Sequence, residues 1–199
     1  MSAAGTPTYV TGLVGNALSI GDTSTALTIT SASWMTPSGS FTVCGWVKPA
    51  DGQTANNQTI IGRWDTAGNN RSFALEIDSS GKAVFRFSDN GTTSGVTTAT
   101  TNALANGAAS GYTFIAGVFT SSTNIKIYWN GSLDATYSTS IPAAVASVSA
   151  SLEIGRRGAT STTVLQGQID SVGFFNRVLT AAEITWLYNS GNGRAFSDL

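Results

Sequence analysis

Hydrophobic and polar positions alternate over short stretches along most of this chain, and Gly, Asn, Ser and Asp residues separate the stretches. An alternation with a period of about two residues is typical of half-buried β-strands. The predicted strands are ALSIG, ALTIT, FTVCGWVKP, TIIGRW, SFALEID, KAVFRFS, YTFIAGVFT, IKIYWNG, SLDATYS, LEIGRR and LQGQIDSVGFFN. Short strands joined by hairpin turns favour an antiparallel sandwich or barrel over parallel βαβ units. Segments 92–110 and 141–151 are predicted to be long edge or loop regions.

Some of these strands are apolar on both faces. In FTVCGWV, the side chains of Phe41, Val43 and Val47 point to one face, while Cys44 and Trp46 point to the other. A strand that is apolar on both faces needs cover on both faces. A second packed sheet would cover one face, and long loops or a small helix would have to cover the other.

One short helix is predicted near the C-terminus, after the last strand. Thr180 and Glu183 have the spacing of a capping box, in which the two side chains satisfy free backbone donors at the helix start. Ile184, Leu187 and Tyr188 follow at helical spacing and form an apolar face, and Gly191 is a candidate left-handed stop. A helix this short is not stable alone, so we expect it to dock on the sandwich.

Composition narrows the range of functions. We predict a single β domain over residues 1–199, because no linker, repeat or shift in composition divides the chain. Charged residues make up 11% and the net charge is −1, so the basic footprint of a nucleic-acid-binding protein is absent. No stretch approaches the about 20 apolar residues of a membrane span. The N-terminal stretch has no basic start and no continuous apolar run, so we expect no signal peptide and no membrane insertion.

The chain contains one cysteine, Cys44, and no histidine. The missing histidine excludes Ser-His-Asp and Cys-His catalysis and histidine-ligated metal sites. Cys44 lies within an apolar strand, so we predict a buried, unreactive thiol.

Several motifs together resemble a known family. They are GLVGNALSIG, SGSFTVCGWVKP, TIIGRWD, SFALEIDSSGKAVFRF, IKIYWNGSL and LEIGRR, and the closing run GQIDSVGFFNRVLTAAEITWLYNSG. The pattern resembles the laminin G-like, concanavalin A-like lectin/glucanase jelly rolls, from about Gly12 to Gly193. The resemblance implies an all-β fold, an antiparallel two-sheet jelly-roll β-sandwich with one short C-terminal helix. Because this fold carries lectins, adhesion domains and hydrolases, it does not by itself identify a ligand.

Hydrolases that this pattern resembles carry an E-x-D-x-x-E strand, which places acids beside the sugar. Glu76 and Asp78 are the nearest match, and the third acid is missing because Ser79, Ser80 and Gly81 follow. We therefore predict that the chain is not an enzyme, and that Glu76 and Asp78 are solvated residues at the end of a hairpin.

Asp170 is the candidate metal ligand. The resemblance implies a structural calcium near the closing strand, for which oxygen donors around Gly21 and Asp22 could supply partners. The alternative is that Asp170 accepts hydrogen bonds from backbone or hydroxyl donors where the last strand enters the sheet. Both alternatives make Asp170 structural, because a carboxylate beside the apolar run 172–175 needs a partner.

Three polar loops are candidates for ligand binding. Sugar sites combine an aromatic plate with planar hydrogen-bonding side chains. The candidate residues are Trp64, Asp65, Asn69, Asn70 and Arg71 in the first loop, Asp89 and Asn90 in the second, and Arg156 and Arg157 in the third. Trp64 directly continues a strand, so a place in the core is the alternative for its side chain.

The function predicted from these observations is a non-catalytic interaction or attachment module that binds a glycan or a protein surface. We expect it to be an external component of a larger particle, such as a virion decoration or receptor-contact protein. The alternative is a secreted or surface carbohydrate-binding module, and a glycosidase is disfavoured by the acid count. The expected partners are a glycan or the protein surface of a larger assembly, which is compatible with an oligomer.

Overall fold

The computed structural model describes residues 2–21, 25–37, 39–50, 57–103, 111–158 and 163–198. Within them, alternating sequence patterns form fourteen strands. These are β1 (Ser2–Ala4), β2 (Thr8–Thr11), β3 (Asn16–Ile20), β4 (Ala26–Ile29), β5 (Phe41–Pro49), β6 (Gln58–Asp65), β7 (Asn70–Ile77), β8 (Lys82–Ser88), β9 (Val96–Ala103), β10 (Thr113–Thr120), β11 (Asn124–Trp129), β12 (Ser132–Tyr137), β13 (Leu152–Ile154) and β14 (Gly167–Phe175).

The strands form two seven-stranded sheets. Sheet I has the order β1-β4-β13-β6-β7-β8-β9, and sheet II has the order β12-β11-β10-β5-β14-β3-β2. Neighbouring strands of the two sheets pair antiparallel throughout. This arrangement confirms the predicted two-sheet jelly-roll sandwich.

The main core lies between the sheets and is built around Phe41. Its ring lies 5.1 Å from that of Phe73, 5.4 Å from that of Phe119 and 5.8 Å from that of Phe174, centroid to centroid. Phe85 meets it edge-on at 5.9 Å. Because each strand places every second residue on this face, the aromatic rings of both sheets interdigitate and fix their spacing.

The second face of β5 is covered by the helix α1 (Ala181–Tyr188), as predicted. The capping box of Thr180 and Glu183 is formed, and Ile184 and Leu187 are buried in a cluster with Trp46. Tyr188 is half-buried and its ring stacks on that of Trp46 at 5.7 Å.

The helix ends differently from the prediction. Asn189, with φ at 48°, is the left-handed residue that ends α1, and Gly191 follows two residues later with φ at 92°. Asparagine tolerates this conformation because its short polar side chain can hydrogen-bond locally, and here its amide donates to the Gly193 carbonyl at 3.0 Å.

Three strands were not predicted: β1, β2 and β9. β2 is an edge strand with mostly exposed residues, and β9 is the Thr-rich edge strand of sheet I, so neither shows a buried apolar face in the sequence. β9 lies within the segment 92–110 that was predicted to be an edge or loop region, and residues 104–110 lie outside the described part. Segment 141–151 contains no strand, as expected. Among the residues described, no helix has the length and apolar character needed to cross a membrane.

Candidate functional site

The turn between β6 and β7 carries the first group of predicted ligand-binding residues. Asp65 shapes this turn, because its Oδ1 accepts the backbone N–H of Ala67 at 3.0 Å. Gly68 and Asn69 then take left-handed conformations, with φ at 66° and 58°. Asn69 is exposed and Asn70 is half-buried, so their amide groups are displayed at this end of sheet I.

Arg71 stabilises this turn from its buried side. Arg71 is 7% exposed to solvent. Its guanidinium donates to Asn69 Oδ1 at 3.1 Å, to the Thr66 carbonyl at 3.3 Å and to the Gly91 carbonyl at 3.4 Å. Arg71 is therefore engaged within the protein, and its contribution to the site is to position the turn.

The β8–β9 loop carries Asp89 and Asn90 and lies beside the β6–β7 turn. Asn90 Oδ1 accepts the backbone N–H of Thr92 at 2.8 Å, which closes the loop locally. The backbone N–H of Arg71 donates to the Gly91 carbonyl at 3.2 Å and joins the two loops. Asp89 and Asn90 are exposed, so the loop presents a carboxylate and an amide next to the first turn.

Trp64 is 5% exposed, so the structure supports the core alternative for its side chain. The guanidinium of Arg157 lies over its ring, 5.6 Å from the centroid. One ring face is thus taken by an intramolecular cation–π contact. Trp64 does not provide the open aromatic plate that a sugar site needs.

Arg157 also reaches Glu76 across sheet I. Glu76 lies on the face of β7 opposite to the core residue Leu75 and is 0% exposed. Its carboxylate pairs with Arg157 Nη1 at 2.9 Å and with Arg86 Nε at 2.9 Å, and it accepts the Thr59 hydroxyl at 3.0 Å. The expectation of a solvated Glu76 was therefore wrong, because the sequence does not reveal that two arginines cover this face.

Asp78 lies beyond the end of β7 and does not share a strand face with Glu76. Its Oδ1 accepts the backbone N–H groups of Ser80 at 2.8 Å and Lys82 at 2.9 Å. It is half-buried and shapes the hairpin turn, so it is also less solvated than expected.

The electrostatics of this region follow from the crowding of guanidinium groups. Burial lowers the pKa of Arg157, and the nearby charges of Arg86 and Arg71 lower it further, while Glu76 opposes the shift. Arg157 and Arg86 are paired with Glu76 and Arg71 donates to turn oxygens, so these guanidinium groups stabilise the loops from within the protein.

Arg156 forms a separate pair beside this network. It is buried and donates from Nη2 to Glu153 Oε1 at 2.8 Å. Glu153 borders a small surface depression, which we call the rim cleft. The rim cleft has a volume of about 120 Å³ and is lined by Trp64, Asp65, Ala150, Ser151, Glu153 and Gly158.

The three predicted loops therefore meet at one end of sheet I. Trp64 and Asp65 line the rim cleft, Arg157 covers Trp64, and Arg156 holds Glu153. The loop before β13 joins them, because the Ser149 hydroxyl donates to Asn70 Oδ1 at 3.1 Å. Asn69, Asp89 and Asn90 provide the most accessible polar groups around this end.

Asp170 lies elsewhere, on β14. It is 3% exposed, and its Oδ2 accepts the backbone N–H groups of Leu13 at 2.7 Å and Val14 at 2.8 Å. The Ser171 hydroxyl donates to Oδ1 at 3.1 Å. Asp170 thus accepts backbone and hydroxyl hydrogen bonds, and its backbone partners are residues 13 and 14 rather than the region of Gly21.

The surroundings of Asp170 do not fit a calcium ion at Oδ2, because two N–H dipoles point their positive ends at this oxygen. Asp22, the other expected partner, lies outside the described residues. Among the residues described, no three His, Cys, Asp or Glu side chains cluster in a way that could hold a metal ion. Calcium binding remains a prediction that chelation can test.

Two further residues were not singled out from the sequence. Trp34 is 50% exposed on a 3₁₀ turn between β4 and β5, and Arg63 is fully buried within β6. The signal for Trp34 was its position in the Ser- and Thr-rich stretch SASWMTPSGS, where an apolar strand pattern is absent. No comparable signal marks Arg63.

Comparison with known proteins identifies the family. Residues 21–185 match the model of the concanavalin A-like lectin/glucanases superfamily. The chain belongs to this superfamily. No curated protein sequence matches the chain.

Solved structures share the fold at low sequence identity. The binding domain of Paraclostridial Mosquitocidal Protein 1 is 12% identical with a TM-score of 0.75, over 96% of this chain and 47% of that one. The receptor binding domain of a botulinum neurotoxin C/D mosaic serotype is 15% identical with a TM-score of 0.73, over 94% and 45%. A botulinum neurotoxin type C structure, described as interacting with two ganglioside molecules, is 20% identical with a TM-score of 0.66, over 95% and 46%. This superfamily member thus spans about half the length of these proteins.

Proposed function

We propose that the chain is a non-catalytic binding module that takes a glycan at the rim cleft and the polar loops around it. The observation that carries the proposal is the convergence of three separate polar loops on one end of sheet I. Exposed amide and carboxylate groups of Asn69, Asp89 and Asn90 suit the hydroxyl groups of a sugar. The buried arginines below them keep these loops in fixed positions.

The state of Glu76 supports a non-catalytic role. Glycoside hydrolysis needs two carboxyl groups that can reach the glycosidic bond. Both oxygens of Glu76 are engaged by Arg86, Arg157 and Thr59, and its side chain is inaccessible. Such a carboxylate can neither attack a sugar nor deliver a proton to one.

The descriptions of similar structures name two kinds of ligand, a ganglioside and a protein. One similar neurotoxin structure is described with gangliosides, and another is a complex with rat synaptotagmin II. For this chain a glycan is favoured, because the exposed side chains on the loops around the rim cleft include the amides and carboxylate of Asn69, Asn90 and Asp89. A protein surface is the second candidate.

A glycan array with matched variants tests the proposal. Asn69→Gly removes an exposed amide but keeps the left-handed backbone that glycine adopts readily. We expect this variant to bind the recognised glycans several-fold more weakly than the wild type. Asn130→Gly is the control, because Asn130 is also left-handed, with φ at 48°, in the turn between β11 and β12. Binding of no glycan, or equal loss in both variants, would contradict the proposal.

We also propose that the module works outside the cell, either on a larger particle such as a virion or as a secreted carbohydrate-binding module. The low content of charged side chains is compatible with both settings. The genes that neighbour this reading frame distinguish them: capsid or tail genes would support the particle, and a gene for a polysaccharide-degrading enzyme would support the secreted module.

A further inference from the structure

Trp34 is the exposed one of the five tryptophans, all of which lie in the described part of the chain. Its side chain is 50% exposed, whereas Trp46 and Trp64 are 2% and 5% exposed. Trp129 and Trp186 are half-buried. An indole ring left half in water has an apolar face that none of the described segments covers fully, and this exposure costs free energy.

The turn that carries Trp34 is fixed. Met35, the next residue, is 0% exposed and anchors the turn in the core. The indole meets the ring of Phe174 edge-on, with the centroids 5.7 Å apart, and Phe174 in turn stacks on Phe41. The backbone N–H of Thr36 closes the turn on the Ser33 carbonyl at 3.1 Å. Trp34 is therefore presented in one orientation.

Arg63 secures both flanks of this turn. Its Nη2 donates to the Ser31 hydroxyl at 2.8 Å and its Nη1 donates to the Thr36 hydroxyl. The same guanidinium donates to the carbonyls of Ala150, at 2.9 Å, and Val148. These four acceptors are neutral oxygens. The buried guanidinium therefore positions two loops and does not form an ion pair with any of these groups. One loop carries Trp34, and the other contributes Ala150 to the rim cleft.

The chemistry around Trp34 selects a class of ligand. Residues 30–40 contain no charged side chain, and they include several Ser and Thr residues. Ser31 and Ser33 are exposed and lie just before Trp34 in the chain. A pyranose ring presents C–H groups on one face and hydroxyl groups at its edge, which matches an exposed indole with hydroxyl side chains in the same short segment. A protein contact would instead favour several exposed apolar side chains beside the ring, whereas Phe174 beside it is half-buried and stacks on Phe41.

The geometry points to Trp34 as a stacking platform for a neutral pyranose residue of a glycan, held in place by Arg63. The ring face of the sugar packs on the indole, and the nearby Ser33 hydroxyl, together with Ser31 Oγ that Arg63 holds in place, binds hydroxyl groups at its edge. This platform lies outside the rim cleft and supplies the open aromatic plate that the buried Trp64 does not. The platform and the proposed function share one class of ligand, a glycan. The platform rests on the proposed function for this class of ligand.

The indole N–H signals in a ¹H–¹⁵N spectrum test the platform directly. Trp34→Phe identifies the Trp34 signal by its loss. The probes are the methyl β-glycosides of glucose, galactose and N-acetylglucosamine, titrated separately. We expect at least one probe to shift the Trp34 signal, and Trp34→Ala to weaken its binding about tenfold or more, as expected for loss of an aromatic contact. Trp34→Phe should keep part of the affinity.

Tyr9→Ala is the matched control, because Tyr9 is 58% exposed on the edge strand β2 and lies away from this turn in the chain. This variant should bind the probes like the wild type. The platform is rejected if no probe moves the Trp34 signal, or if Trp34→Ala binds as well as the wild type. A signal that moves with protein concentration alone would assign Trp34 to a contact between copies of the chain, and would also reject it.

The rim variant separates this inference from the proposed function. Loss of binding in Trp34→Ala with full binding in Asn69→Gly supports the platform and rejects the rim cleft as the glycan site. The reverse result supports the rim cleft and rejects the platform. Loss in both variants supports one extended site in which the glycan crosses from the cleft to Trp34.

Discussion

Asp170 shows how one buried carboxylate can organise a distant part of the chain. It joins the closing strand β14 to the N-terminal turn at Leu13 and Val14, more than 150 residues away in sequence. Gly12 makes this contact possible, because a Cβ atom at this position would lie 2.5 Å from Asp170 Oδ2. The contact therefore depends on a small residue as well as on the acid.

Asp170→Ala should destabilise the fold by roughly 1–3 kcal/mol, because two partly buried backbone donors lose their acceptor. Chemical denaturation measures the change. A chelator added to the wild type separates hydrogen bonding from calcium binding. With hydrogen bonds alone, the melting temperature should stay unchanged, whereas a bound calcium would make it fall. Unchanged stability of Asp170→Ala together with lost ligand binding would contradict a structural role.

At the residue scale, the sequence indicated that a carboxylate beside apolar residues needs a partner, but it did not show which distant residue supplies that partner. Asp170 was assigned a structural role from its place before an apolar run. The solvated state expected for Glu76 was wrong, because its ion pairs come from Arg86 on the next strand and Arg157 on a distant loop. Alternation places Glu76 on a face of the sheet, but it does not state what covers that face. Trp64 illustrates the same limit.

At the element scale, α1 combines a local cap with long-range docking. The cap holds Glu183 between Arg177, 2.8 Å away, and the backbone and hydroxyl of Thr180. Ile184 and Leu187 lie on the apolar face of this helix and are buried against sheet II. The two parts can be tested separately, since one responds to pH and the other to side-chain volume.

The cap predicts a pH dependence. Hydrogen bonds from Arg177 and Thr180 lower the pKa of Glu183 from 4.5 to about 2. A lowered folded-state pKa gives stability that is present above pH 4.5 and is lost as the pH falls through about 2. Between these values the wild type should lose more unfolding free energy than Glu183→Gln. High salt should shrink this difference, because Arg177 is exposed. Parallel pH curves would show that the charge of Glu183 adds no stability to the cap.

The docked face predicts a loss of stability on truncation. Leu187→Ala should cost roughly 2–5 kcal/mol, because a fully buried leucine leaves a cavity. Thermal or chemical unfolding measures this cost. Val178→Ala is the control, since Val178 is 37% exposed just before the helix and should change stability little. Equal effects of the two substitutions would mean that the helix does not cover β5 in solution.

The elements that the sequence predicted well share a strong local signal. β5 and β8 match their predicted ranges because each is a run of mostly apolar residues with Gly, Ser or Asp residues beyond its ends. The observed start of α1 matches the predicted start because the capping-box motif spans only four consecutive residues, Thr180 to Glu183. The helix end at Asn189 and the edge strand β2 were missed, since several residues can adopt a left-handed conformation and an exposed edge strand needs no apolar face.

At the scale of the whole molecule, Arg63 links parts of the sandwich that are distant in sequence. Burial lowers its pKa, and its hydrogen-bond acceptors are neutral oxygens of Ser31, Thr36, Val148 and Ala150. Its fork of donors reaches both loops at once, which a lysine ammonium cannot do with the same geometry. The sequence could not predict this role, because it depends on where two long loops fold back.

Arg63→Lys should loosen both loops together. We expect faster hydrogen exchange at the amides of Met35 and Thr36, with a parallel increase near Ala150. Arg71→Lys is the matched control, because Arg71 holds the β6–β7 and β8–β9 loops instead. Its effect should remain at those loops. Faster exchange in one of the two Arg63-bound loops alone would contradict the proposed link.

Cys44 gives the molecule a built-in reporter of its own opening. It lies on β5 between β10 and β14, is 0% exposed, and has its pKa raised to about 12 by burial. Thiol reagents react with an accessible thiolate, so Cys44 in the native state should not react with them. The rate at which a reagent labels Cys44 of the wild-type protein in water should then report how often the centre of sheet II opens. Its dependence on denaturant should equal that of global unfolding, and a weaker dependence would reveal a partial opening that frees β5 first.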